Sequence, residues 1–114
     1  DCVSDADDLI SRMAINRADS VIQAVTPDLK SIAYYTSQEE VFENIAERGI
    51  KVLCVRDRDV YLPIEEVKSH FKDISFILPY SRPLKQQVIT GTLSERLADI
   101  NYRKQVAAIA KRVM

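Results

Sequence analysis

Residues 51–78 read KVLCVRDRDVYLPIEEVKSHFKDISFIL, and their reading decides the fold. Lys51 to Val55 is a short apolar, β-branched run of the kind that forms a strand buried on both faces. Ile64 to Phe71 follows Pro63, carries acids in its first turn and sets Val67 and Phe71 four residues apart, which predicts a helix. Ile74-Ser75-Phe76-Ile77-Leu78 is a further apolar run, closed by the turn Pro79-Tyr80-Ser81-Arg82-Pro83. Strand, helix and strand within 28 residues make a βαβ unit with parallel strands. A second arrangement stays open, in which Arg58 tips a hairpin that pairs Val52–Val55 with Val60–Leu62 and gives an α+β fold with a mixed sheet.

Upstream, Ser31-Ile32-Ala33-Tyr34-Tyr35-Thr36 reads as another short strand. Ser37 and Glu40 then form a capping-box pair, which opens a helix carrying Val41, Phe42, Ile45 and Ala46 and ending at Gly49. Near the N-terminus, Ser4 precedes Asp5, Asp7 and Asp8, and Ile10, Ala14, Ala18, Val21, Ile22 and Val25 recur at helical spacing. These predict a helix over about 5–24, stopped by Thr26-Pro27-Asp28. Downstream of Pro83 the chain reads as helical in one or two pieces, broken at Gly91, with Thr92 and Glu95 capping a last helix. The expectation is a single α/β domain over residues 1–114: a three-layer-like arrangement with about three mainly parallel strands, an N-terminal helix and a helical tail.

Composition agrees with a folded domain, since 46% of the 114 residues are hydrophobic and 29% charged. No apolar run approaches the roughly 20 residues that span a bilayer, so no membrane insertion is expected. No basic segment followed by an apolar leader is present either, and a cytoplasmic location is the expectation. A first residue of Asp rather than Met reads as the start of a processed or excised piece of a longer chain. Cys54 lies in an apolar run and reads as a small buried hydrophobe, while Cys2 lies at the N-terminus. With one histidine and no Cys-x-x-Cys, no zinc site and no other cofactor is expected.

Charge is uneven along the chain. Residues 1–50 hold ten acids and four bases, whereas residues 51–114 hold twelve bases and seven acids. Such asymmetry marks either an anionic partner for the second half or two halves that fold against each other.

In an open parallel sheet, ligands collect beyond the carboxyl ends of the strands. The expected strands place Thr36 and Ser37, then Arg56, Asp57, Arg58 and Asp59, then Tyr80, Ser81 and Arg82 there. Of these, Ser37, Arg56, Arg58, Ser81 and Arg82 suit an anion through a helix N-terminus and forked arginine bonds. Asp57 or Asp59 followed by Glu66-Val67-Lys68 resembles the signature of metal-dependent PD-(D/E)XK nucleases. That resemblance implies carboxylates on a divalent metal and a lysine at the attacking water. It departs from the signature because Glu66 and Lys68 fall in a helix's first turns rather than at a strand end. His70, the one imidazole, follows Ser69 on a helix, where adjacent side chains do not face each other. Arg103, Lys104, Lys111 and Arg112 form a basic group on the last helix, but the near-neutral charge argues against nucleic acid as the partner. The leading expectation is therefore a non-enzymatic regulatory or assembly module that contacts a protein, or the rest of its own chain, through Arg103, Lys104, Lys111, Arg112 and the loop 56–59. An anion- or small-molecule-sensing domain is the second reading, and a divalent-metal nuclease the third.

Overall fold

The computed structural model describes residues 9–43, 47–58 and 62–114. Three strands, β1 (Val21–Val25), β2 (Gly49–Cys54) and β3 (Ile74–Leu78), form one sheet in the order β1-β2-β3. Both pairings are parallel. Six helices accompany them among the described residues: α1 (Leu9–Arg17), α2 (Leu29–Ser37), α3 (Glu39–Glu43), α4 (Ile64–His70), α5 (Arg82–Thr90) and α6 (Ile100–Val113). Since β2 has a parallel neighbour on each side, it has no free edge for a hairpin with the segment after Arg58. Asp59, Val60 and Tyr61 lie outside the described residues.

The α/β class and the parallel sheet are those expected, but the first strand is a different one. The helix read over 5–24 ends at Arg17, and residues 21–25 form β1. Its first residues, Ser4 to Asp8, lie outside the described part. The run Ser31–Thr36, read as a strand, is the body of α2. Asp28 decides this: its side chain accepts the Ser31 backbone N–H at 2.8 Å and caps the helix. The Thr26 hydroxyl, then the Ser31 N–H, hold the Asp28 carboxyl below the usual carboxylate range. What reads as a helix stop is thus a strand-to-helix turn.

The residues on each face of the sheet divide the core in two. Val25, Leu53, Ile74 and Ile77 face α2 and α4, where they pack with Tyr35, Val67 and Phe71. The rings of Tyr35 and Phe71 meet edge to face at 5.2 Å between centroids. Ile50, Val52, Phe76 and Leu78 face the other way, onto Ile109 and Val113 of α6. A register shift between Lys51 and Val52 lets Ile74 and Ile77, three residues apart, share one face. The result is helix, sheet, helix in three layers.

Polar side chains fasten the ends of these elements. The Arg48 guanidinium donates to the carbonyls of Ile15, Asn16 and Ala18, which closes the C-terminal end of α1. Lys72 sits 2.6 Å from Glu39 and 3.2 Å from Glu43, tying α3 to the turn before β3. Asp73, in that turn, has φ of 57°, a left-handed conformation that aspartate tolerates better than most residues.

Candidate functional site

The carboxyl ends of β2 and β3 open into a cleft of about 340 Å³. Cys54, Val55, Arg56 and Asp57 line it from β2, and Leu78, Pro79, Tyr80 and Ser81 from β3. Leu84, Lys85 and Val88 of α5 and Tyr102 of α6 complete the wall. The two strand ends are stitched together where the Val55 N–H donates to the Leu78 carbonyl at 2.9 Å. The body of the cleft is apolar and aromatic, and its ionic groups are Arg56, Asp57 and Lys85. The Lys85 ammonium lies 6.0 Å from the centre of the Tyr80 ring, at the outer limit of a cation–π contact. Burial pushes the Cys54 thiol up, against the pull of the Arg56 charge. Burial likewise raises the Tyr102 phenol, with smaller contributions from Cys54 and Asp99. Both groups are thus held neutral at physiological pH.

Hydrogen bonds at the foot of the cleft fix its shape. The Ser81 hydroxyl accepts the Leu84 backbone N–H at 3.2 Å and so caps α5. It donates to Asp99 Oδ2 at 2.7 Å, while Asp99 Oδ1 accepts the Tyr102 N–H at 3.0 Å and caps α6. The Tyr102 N–H and then the Ser81 hydroxyl keep the Asp99 carboxyl below its usual range. Gln87 organises the connection between the two helices. Its amide nitrogen donates to the carbonyls of Thr92 and Arg96, and its oxygen accepts the Ala98 N–H.

The residues expected at an anion site are not all brought together. Arg56 and Ser81 line the cleft. The Ser81 hydroxyl is committed to Leu84 and Asp99, so its role is to shape the cleft rather than to bind in it. Arg58 and Arg82 are exposed and do not line it. Ser37 is a correction: it ends α2 instead of opening a helix, and its hydroxyl donates to the Tyr34 carbonyl at 2.8 Å. The error follows from reading α2 as a strand, because a helix running back from β1 carries Ser37 to the amino ends of the strands. Tyr80, expected beyond the end of the third strand, also lines the cleft. The cleft residues that sequence spacing does not reveal are Lys85 and Tyr102, and Tyr102 arrives only through the packing of α6.

Thr92 does not cap the last helix; its carbonyl accepts the Glu95 N–H in a turn, and Asp99 is the cap of α6. On that helix, Lys104, Lys111 and Arg112 are exposed and Arg103 is half-buried. Arg112 lines a second hollow of about 270 Å³ at the opposite end of the sheet, near Lys51 and Lys72. Both lysines there have partners within the fold: Lys51 donates to the Lys72 carbonyl and lies over the Tyr35 ring, and Lys72 pairs with two glutamates. Lys68 and Glu66 lie on α4, where Lys68 comes within 3.9 Å of Glu65. Among the described residues, no three His, Cys, Asp or Glu side chains converge as a metal site would require. No helix among them is long and apolar enough to cross a membrane. Comparison with protein-family models, curated proteins and solved structures returns no match for this chain.

Proposed function

We propose that this domain is a binding module that takes a small anionic ligand with an apolar body into the cleft at the carboxyl ends of β2 and β3. The cleft itself carries the reading. It lies where parallel α/β sheets hold their ligands, and its size is within the range of small-molecule sites. Its apolar wall of Leu78, Pro79, Leu84 and the two tyrosines suits the body of the ligand. Arg56 and Lys85 exceed Asp57 by one charge, which favours an anionic group at the rim.

A thermal-shift series with inorganic phosphate, pyrophosphate, nucleotides and aromatic carboxylates tests this. A ligand at 100 times its dissociation constant stabilises the fold by about 2.7 kcal/mol, a shift of several degrees for a domain of this size. The shift is expected to vanish in Arg56→Ala and Lys85→Ala and to persist in Arg82→Ala, whose side chain lies outside the cleft. A shift lost equally in all three would place the ligand elsewhere.

Protein contact is the second reading, and a different observation favours it. α6 covers β2 and β3 on its side of the sheet, while Ile22 of β1 on the same side is 51% exposed. Among the described residues, β1 also has a neighbour on one edge only. Parallel strands are ordinarily covered on both faces, so this side fits an apolar strand and covering helix of another polypeptide. The basic residues of α6 then form a flank of the contact rather than its centre.

A further inference from the structure

We propose that Ser81 and Asp99 form a latch that joins the start of α5 to the start of α6 and thereby fixes the width of the cleft between Tyr80 and Tyr102. Each residue alone is an ordinary N-cap. What sets them apart is the bond between them, 2.7 Å from hydroxyl to carboxylate across 18 residues of chain. Ser81 is buried, at 6% exposed, which limits the competition of solvent for its hydroxyl.

The order of donors gives the bond its direction. The Leu84 N–H donates to Ser81 Oγ, the Ser81 O–H donates to Asp99 Oδ2, and the Tyr102 N–H donates to Asp99 Oδ1. Charge on Asp99 strengthens the hydroxyl bond, and a hydroxyl that donates becomes a better acceptor for Leu84. The two caps therefore support each other. Gln87 fastens the connection at a second point, through Thr92, Arg96 and Ala98. Tyr102 lies three residues past Asp99 in the first turn of α6, so release of the latch frees that turn and moves one wall of the cleft. The consequence for a ligand rests on the function proposed above, whereas the coupling of the two caps stands apart from it.

Amide hydrogen exchange on the full chain separates the latch from two independent caps. In Ser81→Ala, exchange at Tyr102 is expected to rise by on the order of tenfold, although the Tyr102 donor bonds to Asp99 and not to Ser81. In Asp99→Asn, which retains an oxygen to cap α6, exchange at Leu84 is expected to rise in the same way. Ser81→Thr, which keeps the hydroxyl, should restore the slow exchange at Tyr102. If Ser81→Ala accelerates Leu84 while Tyr102 keeps its native rate, or Asp99→Asn leaves Leu84 unchanged, the caps are independent and the latch is overturned. These readouts use no ligand, so a flat thermal-shift series would remove the binding function and leave the latch to be judged separately.

Discussion

Leu53 and Val67 have no exposed surface, and they meet between the sheet and α4. Truncating a buried leucine removes transfer energy and leaves a cavity, so Leu53→Ala is expected to cost about 2–5 kcal/mol, read as a lower urea midpoint with an unchanged slope. Sequence spacing made this part of the core legible, because Leu53 stands in an apolar run and Val67 and Phe71 repeat at helical spacing. Ser81 shows where such reading ends. Its place after β3 marked it for a ligand, but the partner that claims its hydroxyl, Asp99, lies 18 residues on. Nothing local to either residue announces that bond. Asp28 is the opposite case, since the cap and the amide it accepts are three residues apart.

Between elements, the connection from α5 to α6 holds the most to test. α5 ends at Gly91, whose φ of 72° is left-handed, and a Cβ there would meet nothing within 4 Å. Gly91→Ala should therefore cost only the backbone strain of about 1 kcal/mol, with no clash added. Asp99 makes the connection sensitive to acid. Its folded-state pKa is depressed, so the stability it contributes is complete above the unfolded value near 3.9 and is lost as pH falls through the folded value. The melting temperature of the native chain should fall more steeply below about pH 4 than that of Asp99→Asn, which cannot titrate. Equal slopes would mean that Asp99 is not held as an anion. Elements themselves were legible where a run was bounded on both sides, as with β2, α4 and β3. β1 was not, because Val21, Ile22 and Val25 continue the helical phase of Ile10, Ala14 and Ala18 across the bend at Asp19 and Ser20. Five residues are too few for periodicity to separate a strand from a helix end. With β1 hidden in that phase, the α2 segment reads as the missing strand, which places Ser37 at the wrong end of the sheet.

At the scale of the whole molecule, apolar side chains are spread unevenly over the surface. Leu9 and Ile10 of α1 are 72% and 78% exposed, and Ile22 stands on the uncovered side of β1. The strand Val21-Ile22-Gln23-Ala24-Val25 carries no charge, no proline and no bulge, the devices by which edge strands avoid association. A domain with this edge is expected to bind a hydrophobic dye and to self-associate as its concentration rises. Ile22→Lys places a charge on that side without touching the packed core, so its effect on unfolding should stay within about 0.5 kcal/mol. It should nonetheless lower both dye binding and the weight-average mass seen by sedimentation. A matched change at an exposed apolar residue outside the cleft, Ile89→Lys on α5, should alter neither of these quantities as strongly. If Ile22→Lys leaves dye binding and mass as they are in the native chain, the β1 side is not a contact surface. The exposed face would then be tolerated without a partner, and the binding function proposed for the carboxyl-end cleft would remain to be tested by its own ligand series.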